Sequence, residues 1–546
     1  RREHWHRWLL LQCDGQIPKG VRRVTGPVMH GDRLELIEPR VVVAPVMLQG
    51  FEARLRLVAI EPAACEQHPT RVDAVLDRQI RDDLEVDAKL RGRFNPRPSA
   101  AKFPHLNPDT DFPWFRTLHS LAYRCLGIST KDMMTPEHYR EFAKEAGIEL
   151  AIEGGEEDFM VKADNPILNE INIARIKGMD LKTHYNQSAM DIEWFHFEYV
   201  ERAYRHYKTS RALMDFTDLL EYVLLEPDRL PNLDALIIDE AQDLSRLQWR
   251  LVEQLALRSQ RAFLAGDDDQ AVYTWAGADV DSFLMFEGDV KVLDQSYRVP
   301  AKIHALANSV VTRIRKRQPK VWKAREETGS ISFYNDFHHV DITHGEWLVL
   351  ASTNYMLTDM HEWLKSQGLL FERHGQRSVS ENTLMAVLGW EKLRKGGEVP
   401  FPVVKHIYKY LDSSCVKHGY KTLKTADPEA NYTLDLLKEK HGLLSTEIWH
   451  EALTKISEER RDYMRSLLRR GVKLTGKVPI KLSTIHGAKG GEADNVLLLS
   501  DLSTRFAKEY ERNADDINRL FYVGITRAKQ TLHIVLPKNE QKGFRL

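Results

Sequence analysis

Long hydrophobic runs are missing: across 546 residues none reaches the roughly 18 to 20 apolar residues of a membrane span. The N-terminal stretch RREHWHRWLLLQC has too short an apolar segment for a secretory signal. Cysteine is scarce. Cys13, Cys65, Cys125 and Cys415 lie far apart without a CxxC pair, which argues against a zinc cage or a disulfide framework and suits a reducing compartment. An excess of one charge is also missing, since 78 Lys and Arg face 79 Asp and Glu for a formal net charge of -1. The chain is therefore no basic coat for nucleic acid, and a polyanionic partner would need a local groove. Together these absences predict a cytoplasmic protein. Its first residue is Arg1 rather than Met. Hydrophobic content of 42% and charged content of 29% are ordinary, and the length calls for two to four domains.

From about residue 230 strand and helix patterns alternate. ALIID reads as a buried strand, Ser245 opens a helix with Leu247, Leu251, Val252 and Leu255 on one face, and RAFLAGD reads as the next strand. VKVLD leads through Tyr297, Arg298 and Pro300 into a helix carrying Ile303, Leu306, Val310 and Ile314. EWLVLAS precedes a helix that Gly368 ends, and IKLSTIH, NVLLLSD and TLHIVLP supply late strands. Short buried strands separated by amphipathic helices imply parallel βαβ units. Two stretches without that pattern, about 128–225 and about 376–477, read as helical insertions. The expected organisation is an unassigned region 1–105, a first lobe 106–290, and a second lobe formed by 291–375 and 478–546.

Chemistry concentrates just past the strands. In LDALIIDEAQDLSR the apolar run stops at Asp239 and Glu240, at the strand end where open α/β sheets bind ligands. Hydrolysis of a nucleoside triphosphate needs one acid to hold magnesium and a second group to orient or deprotonate water. Those two residues suit the roles; the alternative is a solvated turn. In FLAGDDDQAVYTWAGAD, Tyr273 and Trp275 beside Gln270 suit base stacking next to a phosphate sensor, or else a polar loop around a core tryptophan. Arg298 in LDQSYRVP and Arg527 in NRLFYVGITRAKQ stand near the ends of βα elements, where arginine can neutralise charge on a transferring phosphoryl group or form a surface ion pair. The basic run TRIRKRQPKVWKAR, 312–325, reads as a solvated helix face or as a source of phosphate contacts.

Taken in order with WFRTLHSLAYR, MDFTDLL and STIHGAKGGEADNVLLL, these segments resemble the superfamily 1 helicases of the UvrD, Rep and PcrA type, from about residue 114 to 537. The resemblance implies two RecA-like parallel-sheet lobes of the P-loop NTPase type, ATP and Mg2+ as cofactors, and 3′ to 5′ movement on single-stranded DNA. It implies duplex junctions as substrates and replication or repair proteins as partners. By the same resemblance Asp239 ligates magnesium, Glu240 activates water, Gln270 reads the γ-phosphate, and Arg298 and Arg527 act as arginine fingers. Tyr297 would stack on adenine and Glu492 approach the ribose. His119, Tyr273, Trp275, Thr484, His486 and Lys489 would contact DNA.

Three departures stand out. Ala276 replaces the arginine that relatives carry after the aromatic, and Gly491 with Ala493 replace bulkier residues around Glu492. The third is the phosphate cradle GxxxxGK[ST], which no segment upstream of TLHS supplies. GPVMHGDR places Asp32 and Arg33 where Lys and Ser/Thr belong, and GVKLTGKV ends in Val478 before Pro479. A damaged or misread N-terminus on a helicase body is the favoured explanation. The alternative is a DNA-binding scaffold that lost turnover.

Overall fold

A computed structural model describes residues 114–153, 162–188 and 190–546, together with the backbone of Val42–Val43. The unassigned region 1–105, with GPVMHGDR inside it, otherwise lies outside the described residues.

The chain divides into two compact units. The first takes the described residues up to Tyr297, and adds Val311–Trp322 and Asn518–Leu520. Its centre is the parallel pair β1 (Leu233–Ile238) and β2 (Ser259–Leu264). All of β1 except Asp234 is buried, as expected of a parallel strand covered on both faces. Around it pack α1 (Leu118–Leu126), α5 (Phe216–Leu225) and α6 (Arg246–Leu257), through Leu121, Leu219, Leu236 and Leu251. Ser245 starts α6 with a capping box, its hydroxyl accepting the Gln248 N–H while the Gln248 side chain accepts the Ser245 N–H.

The insertion in this unit keeps its own core. Helices α2 (Pro136–Ala146), α3 (Pro166–Ile176) and α4 (Trp194–Ser210) bury Phe142, Ile171, Phe197 and Tyr207 in a cluster separate from that of the strands. Charge fastens it to the rest. Asp215 and Asp218 of MDFTDLL cap the start of α5 reciprocally, and Arg175 from α3 and Lys208 from α4 reach both carboxylates.

The second unit carries a seven-stranded sheet in the order β6-β5-β7-β4-β8-β9-β3. The strands are β3 (Ser330–Tyr334), β4 (Trp347–Ala351), β5 (Phe371–Arg373), β6 (Gln376–Arg377), β7 (Ile480–Thr484), β8 (Ala493–Leu499) and β9 (Ala528–Val535). All neighbours run parallel except the edge pair β5 and β6. The α/β, parallel-sheet architecture expected from the strand and helix pattern is the one observed. Helix α7 (Ala301–Val311) buries Ile303, Ala307 and Val310. Here the insertion shares the core of the sheet: Trp390 and Ile407, from the helices Glu381–Arg394 and Phe401–Tyr410, belong to the same cluster as Val349 and Phe371. Val290, Val292 and Leu293 of VKVLD are exposed, and the strand in this region begins only at Gln295.

Candidate functional site

In the first unit the backbone pairing of β1 and β2 continues past both strand ends. Ala265 N–H donates to Ile238 O at 2.7 Å and Ala241 N–H to Ala265 O at 2.9 Å, which lays DEAQD alongside GDDDQ. Asp239 and Glu240 are half-buried there, and Asp239 Oδ1 accepts the Glu240 N–H at 2.9 Å. Glu240 adopts a left-handed backbone, φ 53°, a conformation costly for a residue with a side chain.

A chain of hydrogen bonds then runs from Glu240 to Gln270. Gln242, fully buried, donates through Nε2 to Glu240 Oε2 at 2.6 Å, and its Oε1 accepts the Asp267 N–H at 2.9 Å. Asp267 Oδ2 in turn accepts from Gln270 Nε2 at 2.6 Å. Ionised carboxylates only accept, so each glutamine must turn its nitrogen toward the acid, and both amide orientations are fixed. Gly266 is needed at the crossing: a Cβ there would lie 2.6 Å from Gln242 Oε1 and 2.8 Å from Phe283 Cζ.

The two neighbouring aromatics part company. Tyr273 is only 2% exposed and belongs to the interior, whereas Trp275 is 42% exposed. Tyr297 is more open still, at 55%. His119, in the first turn of α1, joins a different group: its ring meets Phe216 edge-on at 6.0 Å. Burial pushes its pKa down to about 4, against a weaker upward pull from Asp215, so the imidazole is neutral at pH 7.

The second unit gathers three of the expected residues. Arg298 Nη1 lies 3.8 Å from Glu492 Oε2. Arg527, 1% exposed, donates through Nε to Val523 O at 2.9 Å and through Nη1 to Gly491 O at 3.4 Å, one residue from Glu492. Close by in sequence, Thr484 Oγ1 accepts the Gly487 N–H at 3.1 Å, closing the turn after β7. His486 is buried and faces Phe506 at 6.1 Å, and Lys489 is half-buried.

Residues 71–291 match the UvrD/REP helicase N-terminal domain, and residues 438–539 match the UvrD-like helicase C-terminal domain. The chain belongs to the UvrD/Rep/PcrA type of superfamily 1 helicases. The first match reaches back into the stretch that motif reading left unassigned. Among relatives of this family, the ATP-dependent DNA helicase PcrA of Bacillus subtilis (strain 168) is 29% identical over 306 residues, 51% of this chain and 40% of its own. DNA helicase II of Escherichia coli (strain K12) is 25% identical over 303 residues, 50% of this chain and 39% of its own. DNA helicase II of Haemophilus influenzae is 23% identical over 297 residues, 50% of this chain and 39% of its own. The chain thus spans about two fifths of the length of these relatives.

Several participants carry no motif signature in the sequence. Gln242 is one, lying inside DEAQD between the acids that were assigned roles and Asp243. Arg317 and Lys320, from the basic run, are engaged by acids of the first unit: Arg317 grips Asp269 with bonds of 2.8 and 2.7 Å, and Lys320 Nζ lies 2.9 Å from Asp267 and 3.0 Å from Asp269. Lys316 pairs with Asp281 at 2.9 Å. No helix among the described residues is long and apolar enough to cross a membrane.

Proposed function

We propose that this chain is an ATP-dependent DNA helicase or translocase that moves 3′ to 5′ along single-stranded DNA and acts at duplex junctions. The hydrogen-bonded series Glu240, Gln242, Asp267, Gln270 at the carboxyl ends of β1 and β2 carries the reading. It connects an acid and an amide through Gln242 and Asp267 at the ends of two paired strands, an arrangement that suits hydrolysis with γ-phosphate sensing. The relatives' printed activities point the same way.

Asp239 would hold a magnesium ion, which neutralises phosphate charge when bound; magnesium is usually held by one or two carboxylates together with phosphate oxygens and water, and the hard oxygens of Asp239 and Glu240 suit that donor set. Glu240 would take the proton of the attacking water, and Gln270 would bond the γ-phosphate. Arg298 and Arg527 would stabilise charge developing on the transferred group. Arg527 must then exchange a bond to Gly491 O or Val523 O for one to phosphate. Exposed Tyr297 offers a face for adenine, and Glu492 a carboxylate for the ribose. His119, Trp275, Thr484, His486 and Lys489 would line the DNA path, with Tyr273 supporting it from the interior. Replication or repair proteins are the partners such an activity would serve.

The test is magnesium-dependent ATP hydrolysis with and without single-stranded DNA, followed by unwinding of duplexes bearing a 3′ or a 5′ tail. Glu240→Gln should retain nucleotide binding and lose about 10²- to 10⁴-fold in stimulated turnover, the usual worth of a general base. DNA binding with no stimulated hydrolysis in an intact sample would instead assign the chain to the scaffold class.

A further inference from the structure

The loop that carries Gln270 holds three consecutive carboxylates, Asp267, Asp268 and Asp269, of which Asp268 and Asp269 are 2% and 0% exposed. Three such neighbours would repel one another and pay heavily for leaving water unless cations met them. The cations come from the segment 316–320. Arg317 holds Asp269 in a two-bonded fork. Lys320 touches all three acids, and the Gln318 N–H donates to Asp268 Oδ2 at 2.8 Å.

Neutralisation alone would make this a structural staple, but Asp267 divides its carboxylate in a way that reaches further. Its Oδ1 accepts the Asp269 N–H at 3.2 Å and lies 2.9 Å from Lys320 Nζ, while its Oδ2 takes the Gln270 side-chain amide at 2.6 Å. One carboxylate therefore transmits the position of the lysine to the glutamine. Its backbone N–H, held by Gln242, ties the same residue to Glu240.

We propose that Lys320 is a positioning residue for Gln270, acting through Asp267, so that the basic segment 316–320 serves the γ-phosphate end of a nucleotide site from within the protein. The role of Gln270 rests on the functional reading above; the Lys320, Asp267, Gln270 linkage is geometry. Removing Lys320 takes its counter-charge from the half-buried Asp267 carboxylate, and the amide that carboxylate anchors loses its fixed orientation.

The experiment uses the full chain with Lys320→Met, the isosteric Asp267→Asn, and Gln270→Ala singly and in pairs. Lys320→Met and Asp267→Asn should each lower DNA-stimulated kcat for ATP by about 10- to 100-fold, as removal of an orienting group does, with KM little changed. Adding either to Gln270→Ala should cost nothing further, and Lys320→Arg should recover part of the loss. Hydrogen exchange of amides 266–277 should quicken in Lys320→Met while β4 stays protected. Additive losses with Gln270→Ala, or an unchanged kcat in folded Asp267→Asn, overturn the proposal. Should the unmodified protein show no stimulated turnover, the functional reading fails, and exchange decides the linkage. Quickened exchange confined to 266–277 in Asp267→Asn supports it, and unchanged exchange there overturns it.

Discussion

Gln242 donates its side-chain N–H to Glu240 at 2.6 Å from a position with no solvent exposure at all. The acid expected to activate water is thus aimed by a neighbour two residues along that also holds the Asp267 backbone. Gln242→Leu keeps most of the volume and removes both bonds. DNA-stimulated hydrolysis should fall about 10- to 100-fold while nucleotide affinity changes little. The orphaned Asp267 N–H should cost about 1 to 3 kcal/mol of stability. Steady-state kinetics and chemical unfolding would check the two halves independently.

Glu240 sits in the left-handed region, φ 53°, where a residue with a Cβ stores about 1 to 3 kcal/mol of strain. Glycine carries no such penalty. Glu240→Gly should therefore leave Tm unchanged or raise it, even as turnover is lost. A fall of several degrees in thermal unfolding would show that the Glu240 side chain supports the fold instead of straining it.

Strands β1 and β4 were legible because each is a short apolar run ending in a polar motif, and burial on both faces leaves no alternation to confuse. The partners of the motifs were not. Asp269 finds Arg317 at a separation of 48 residues and Asp268 finds Lys320 at 52, so no local period records either pairing. The run 312–325 looked like a solvated face or a phosphate contact because its acids lie far away in the chain. The exposed valines of VKVLD carry strand propensity that no strand among the described residues uses. Tyr273 and Trp275 looked equivalent as aromatics in one loop, and only folding sent one inward and the other out.

Asp215 is held well below the usual carboxylate range: burial pushes it up, but Arg175 and Lys208 more than offset that. A depressed carboxyl contributes stability above its unfolded value, about pH 3.9, and the contribution fades as pH falls below that toward the folded value. Lys208→Met should destabilise the first unit by about 3 to 5 kcal/mol at pH 7, because it leaves buried carboxylates undercompensated. The gap between variant and parent should shrink as pH falls, because Asp215 without Lys208 takes up its proton in the folded variant before it does in the folded parent. Denaturant unfolding at several pH values would measure it.

His119 titrates in the opposite sense to a paired histidine. Its folded pKa of about 4 lies below the unfolded value of about 6.5, so the unfolded chain binds the extra proton first. Stability should be fully present above pH 6.5 and decline as pH falls from there to about 4. His119→Gln should flatten that part of the profile. NMR titration of the imidazole, or parallel pH series of the two proteins, would show it.

The three separate stretches that build the first unit bear on how the protein is made. As the polypeptide leaves the ribosome, the loop bearing Asp267, Asp268 and Asp269 emerges well before Arg317 and Lys320, and long before Arg519, whose guanidinium donates to Asp268 O at 3.0 Å. Nascent chain can therefore complete this unit only after residue 520 has emerged, and a fragment cut at residue 297 would carry the acids without the cations that answer them.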